Sequence, residues 1–157
     1  MTLHILSQLE AKKVLEKLRE QFGVKKIPGI LIMRGEERIF LFTGNTDEKE
    51  LKEIENIVYL ERAGIYFGKE ELGQIRLSIE GTQILSEQIT KNVFKLQTSE
   101  QFEQWMSGQE LLISSGFHGV IAIKYQNDFL GCGKASENKI SNFIPKNRRL
   151  KLKTTIK

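Results

Sequence analysis

Cys132 is the single thiol of this 157-residue sequence, and it stands between two glycines, Gly131 and Gly133. A cysteine attacks as its thiolate and needs a neighbouring base to form it, and His118 is the nearest histidine in sequence. His118 sits between Phe117 and Gly119 where a strand-like run begins, which fits a capping or surface role better than catalysis. A structural place inside a strand is the corresponding expectation for Cys132. The glycine pair invites comparison with nucleotide loops. A dinucleotide fingerprint, however, needs a third glycine, a following helix and an acidic residue about 20 positions on, and no P-loop sequence occurs either. One cysteine and two distant histidines, His4 and His118, give no metal-ligand spacing. The acidic pairs Glu36-Glu37 and Glu70-Glu71 fall in turns, where both carboxylates are solvated instead of being driven to different pKa values. The sequence is therefore read as non-catalytic, with no cofactor and no metal.

Charge is the stronger chemical signal. The chain carries a net +4, but nine basic residues against Asp128 and Glu137 lie from Val120 onward, a net of +7, leaving −3 on the first 119 residues. A segregated basic surface is the electrostatic footprint of a polyanion ligand. Lys134, Lys139, Lys146, Arg148, Arg149 and Lys151 are the expected phosphate contacts, the arginines being able to bind an oxygen pair or a base edge in bidentate fashion. Gly131 and Gly133 lack Cβ atoms and so let a phosphate or base approach the backbone, or else serve a bulge or corner. Asn142 either reads a base edge or holds its own loop through backbone groups. Phe143 is a stacking platform for an unpaired base or a core residue. These side chains are expected to share one face.

The elements that must position them follow from periodicity. Ser7 with Glu10 forms a capping box, and Ala11, Val14, Leu15, Leu18 and Phe22 recur at helical spacing until Gly23, which predicts a helix over Gln8–Phe22. Gly29–Met33 and Arg38–Thr43 read as a hairpin, Thr46–Ile57 as a charged helix, and Val58–Leu60, Ile65–Gly68 and Gln74–Ile79 as strands. Gly81–Gln88 reads as a short helix. The polar stretch Ser86–Asn92 divides the chain into 1–90 and 91–157, with no flexible linker, so the halves should pack together. Beyond it come a strand at Val93–Leu96 and a helix opened by Thr98 and Gln101 that carries Phe102, Trp105 and Met106 on one face, as core packing would require. The strand Gly119–Tyr125, a turn, a return strand Phe129–Ala135, a loop over Asn138–Pro145 and a basic strand near Arg148–Lys153 complete a small closed or half-closed barrel. No run of about 18 apolar residues and no signal-peptide pattern occurs, so a reduced cytoplasmic setting away from membranes is expected.

The text from Gly119 to Lys151, with Leu130-Gly-Cys-Gly-Lys134, Lys139-Ile-Ser-Asn-Phe143 and Pro145-Lys146 running into Arg148-Arg149, resembles the PUA domain. It is similar in its order of motifs to the C-terminal extension of Sun-family RNA cytosine methyltransferases. Gly64–Gly68 and Gly73–Ile79 are similar to the pre-PUA region of those extensions and of Nip-type ribosome-biogenesis factors. The resemblance implies an α+β protein in which a mixed α/β pre-PUA region, 1–90, packs on a PUA-like β pseudo-barrel, 91–157. It implies binding of ribosomal or transfer RNA, in ribosome biogenesis or beside an RNA-modifying enzyme, with no chemistry in this module. The alternative is a protein-interaction subunit whose acidic N-terminal region docks an RNA methyltransferase or a ribosome-assembly partner, RNA contact being secondary.

Overall fold

A computed structural model describes residues 3–43 and 64–151. The helix expected over Thr46–Ile57, the strand at Val58–Leu60, and Lys153 and Lys157 lie outside the described residues. The N-terminal part is an antiparallel sheet of β1 (Leu3–Ile5), β2 (Ile30–Arg34), β3 (Arg38–Phe42), β4 (Ile65–Glu71) and β5 (Gln74–Leu77) in that spatial order. Helix α1 (Gln8–Phe22) has the bounds that its periodicity requires: Ser7 and Glu10 close a reciprocal capping box, and Gly23 ends the helix in the left-handed region.

Side-chain alternation splits this sheet into two faces. Leu31, Ile39, Leu41, Ile75 and Leu77 join Val14, Leu18 and Phe22 of α1 in one core. Ile30, Ile32, Phe40 and Phe42 form a smaller apolar cluster with Leu3 and Ile5 on the other face. The register shifts between Ile39 and Phe40, which pair with Gly68 and Tyr66, so Phe67 is an extra residue in β4 and forms a β-bulge.

Helix α2 (Ile79–Ile84) starts two residues before the expected Gly81, because Ser78 caps it: its hydroxyl accepts from Gly81 N–H at 2.9 Å and donates to the Tyr66 carbonyl at 2.6 Å. Gln83 and Thr82 tie α2 to the next sheet by donating to the Phe129 carbonyl and accepting from Gly131 N–H.

The second sheet has the order β6 (Val93–Leu96), β7 (Gly119–Tyr125), β8 (Asp128–Ala135), β9 (Ile140–Asn142). Strands β6 and β7 run parallel, with α3 (Ser99–Met106) in the crossover between them, and the remaining pairs are antiparallel. This sheet is open, so the barrel does not close. The apolar run in β7 is explained by burial on both faces: Val120 and Ala122 enter the core shared with α1, while Ile121 and Ile123 enter a second core around Trp105, itself fully buried. That first core also takes Phe129 and Cys132, so it joins residues from both halves of the chain. Two expectations change here. Part of the loop over Asn138–Pro145 is strand β9, and Lys146–Arg148 is a 3-10 turn followed by irregular chain where a basic strand was expected.

Candidate nucleic-acid interface

A groove of about 470 Å³ lies at the seam between the two sheets. Its N-terminal wall is Arg38 of β3, Tyr66 of β4 and Arg76 of β5, and the start of α2 contributes Ser78, Ile79 and Glu80. The opposite wall is Leu130–Cys132 of β8 with Phe143, Ile144, Pro145, Asn147 and Arg148. Three guanidinium groups and two aromatic rings thus border one hollow. The Arg76 guanidinium lies 3.9 Å from the Phe143 ring centroid, and Phe40 supports Tyr66 in a tilted contact at 5.5 Å. Arg148 reaches across to Glu80 at 2.5 Å, and Arg76 pairs with Glu71 at 3.2 Å. Both pairs are partly open to solvent, where an ion pair contributes about 0–1 kcal/mol and can be exchanged for another anion.

Of the ten site residues expected from sequence, Gly131, Phe143 and Arg148 line this groove. The others do not converge on it. Lys134 is exposed on β8, Lys139 pairs with Glu110 at 3.2 Å, and Lys146 and Lys151 are exposed along the final segment. Arg149 turns away from Arg148: its Nε donates to the Ile144 carbonyl at 2.9 Å and its side chain lies over Gly108. The C-terminal cations thus do not all line this one hollow. Adjacent residues on a tight turn point in different directions, and Arg149 is held by packing.

Of the two roles open to the glycines, their contacts within the protein match the bulge or corner. Gly131 has φ +82°, a conformation that L side chains rarely adopt, and its N–H donates to Thr82 Oγ1 at 2.9 Å. A Cβ there would meet Ile79 at 3.3 Å, and the β7–β8 register shifts here, Ala122 pairing with Cys132 and Lys124 with Phe129, so this bulge serves the contact between β8 and α2. A Cβ on Gly133 would stand 2.7 Å from both Trp105 and Ile140, so the room it leaves is filled by protein. Asn142 spends its amide on its surroundings: Nδ2 donates to the carbonyls of Trp105 and Gln109 at 2.8 and 2.9 Å, and Oδ1 accepts from Ile144 N–H at 2.7 Å. It pins the base of the Phe143 segment, with both Nδ2 protons and one Oδ1 acceptor site engaged within the protein.

Cys132 is buried, and loss of water around its thiol pushes its pKa up to about 12. His118 lines a different hollow, with Lys17, Glu20 and Gln74. The two are not brought together. Among the described residues there is no cluster of three or more His, Cys, Asp or Glu side chains suited to a metal, and no helix long and apolar enough to cross a membrane.

Arg38, Tyr66 and Arg76 escaped the sequence reading. For the two arginines the signal was the alternation in Arg38-Ile-Phe-Leu-Phe42 and Gln74-Ile-Arg-Leu77, which puts them on the face opposite the core. Which strands would lie beside β8 could not be read from it.

These features describe an α+β protein in which a five-stranded N-terminal sheet and a four-stranded C-terminal sheet share one core. Residues 91–150 match the family model of the methyltransferase RsmF PUA domain, so the chain carries a PUA domain of that kind. A search of curated proteins finds no match.

Proposed function

We propose that this chain is a non-catalytic RNA-binding protein in which residues 1–90 are a pre-PUA region and the groove at its seam with the PUA-type domain is the RNA site. The observation that carries this reading is the convergence of Arg38, Arg76 and Arg148 with Tyr66 and Phe143 on one hollow. Guanidinium groups bind phosphate oxygens, and aromatic faces take an unstacked base, the combination by which single-stranded RNA is held. The matched family, a domain of an RNA-modifying methyltransferase, supports a role in RNA modification. Ribosomal or transfer RNA is the ligand class, in the cytoplasm, either during ribosome biogenesis or in presenting RNA to a separate methyltransferase. The raised pKa of Cys132 and its separation from His118 support a role without chemistry of its own. Crosslinking in cells followed by sequencing of the bound RNA tests the reading. Enrichment of ribosomal or transfer RNA, with crosslinks at Tyr66 or Phe143, is expected, and recovery of no RNA overturns it.

A further inference from the structure

The outer face of the N-terminal sheet carries a row of cations that the groove alone does not use. Arg34 of β2 is opposite Arg38 of β3, Arg38 is opposite Lys69 of β4, and Lys69 is opposite Arg76 of β5. The bulge at Phe67 is what brings this about, because it shifts β4 by one residue and turns Lys69 to the same side as Arg38. Neighbouring strands are about 4.8 Å apart, so the row spans roughly 14 Å. Like charges placed directly opposite one another on a sheet destabilise it. Among the described residues, Glu37 pairs with Lys69 and Glu71 with Arg76, each at 3.2 Å and each with its carboxylate in reach of solvent, while Arg38 makes no ion pair there. The adjacent row on the same face is Ile32, Phe40 and Tyr66. Ile32 is buried, so the rings beside the cations are Phe40 and Tyr66, and the cation row ends at Arg76 against Phe143, inside the groove.

We propose that this row is a second RNA track. A single strand whose base enters the groove continues across the N-terminal sheet, its phosphates passing from Arg76 to Lys69 and Arg38. The proposal rests on the RNA-binding reading of the groove and adds the path and the strandedness of the ligand. A duplex hides its base faces and leaves Tyr66 and Phe40 without a partner, whereas a single strand uses both rows. An acidic polypeptide would match the cations but not the rings.

The test compares labelled single-stranded RNAs of about four and about sixteen nucleotides, the range covered by single-strand binding modules, on the full chain by fluorescence anisotropy. Lys69 belongs to the row and not to the groove. Lys69→Glu is expected to weaken the longer RNA about tenfold and to reduce the steepness of its salt dependence, each lost phosphate contact being worth about threefold. The short RNA should bind as before, and Lys69→Arg should restore the long one. If melting shows that Lys69→Glu does not fold, Lys69→Gln replaces it, with about a threefold loss expected. Unchanged binding of the long RNA by a folded Lys69 variant overturns the track and leaves the groove reading standing. Failure of the native chain to bind either RNA overturns both. Polyglutamate competing as well as the long RNA, with the same dependence on Lys69, overturns RNA as the occupant of the row.

Discussion

Arg76 lies over the ring of Phe143, and that contact joins the N-terminal sheet to the PUA-type domain across the groove. The Arg76 guanidinium covers one face of the half-buried Phe143 ring in a cation–π contact. Replacing Phe143 by Leu keeps most of the apolar contact and removes the stacking surface. Phe143→Leu is expected to weaken single-stranded RNA by about 1–3 kcal/mol with little change in melting temperature. Equal RNA affinity, measured by anisotropy at fixed salt, would assign Phe143 to packing alone.

Arg148 and Arg149 are neighbours in sequence with separate duties. Arg148 faces the groove and spans it to Glu80, while Arg149 is bonded to the Ile144 carbonyl and packed on Gly108. Arg148→Gln is expected to lower RNA affinity and flatten its salt dependence without lowering the melting temperature, since an exposed ion pair adds about 0–1 kcal/mol. Arg149→Gln should do the reverse, reducing stability by about 1 kcal/mol through the lost backbone contact and leaving the salt slope alone. Thermal melting and salt titration on the two variants separate these outcomes, and identical behaviour of both would refute the division.

Most of the elements were legible in the sequence because their signals are local. Ser7, Glu10 and Gly23 mark both ends of α1, and the β-rich run Gly119–Tyr125 is β7 without adjustment. What stayed hidden depends on contacts between distant segments. The row from Arg34 to Arg76 requires three strand pairings and one bulge, and Phe67 carries no local mark of being an extra residue. Net charge directed attention to the C-terminal segment, yet two of the three arginines lining the groove come from the N-terminal half, whose net charge is negative. A sum over a segment does not say which face its charges occupy. Gly133 reads in sequence as an opening to a ligand because the Trp105 ring that fills it is 28 positions earlier in the chain.

Asn142 makes three hydrogen bonds within the protein, joining the C-terminal end of α3 to the turn before Ile144. Removing its amide leaves the part-buried Ile144 N–H without that partner, while the Trp105 carbonyl keeps the Gly108 N–H, and an unsatisfied buried group costs about 1–3 kcal/mol. Asn142→Ala is therefore expected to destabilise the protein by that order in urea denaturation. Any loss of RNA binding should disappear once the measurement is made well below the melting temperature. A stable variant that has lost RNA affinity would instead place Asn142 in direct contact with the ligand.

The cap of α1 gives the protein a specific response to acid. The Ser7 backbone N–H donates to Glu10 Oε1 at 2.9 Å and His4 shares that oxygen at 2.8 Å, and these contacts hold the Glu10 carboxyl at about 2, below its ordinary 4.5. A carboxylate whose folded pKa is depressed contributes stability that is complete above the unfolded value and is lost as pH falls through the folded one. The cap should therefore weaken between about pH 4.5 and about pH 2 as Glu10 takes up its proton. Glu10→Gln retains an oxygen able to accept from Ser7 but has nothing to titrate. Its urea midpoint, compared with that of the native chain at several pH values across this window, should fall less steeply toward acid. Parallel curves for the two proteins would mean that acid sensitivity originates elsewhere in the molecule.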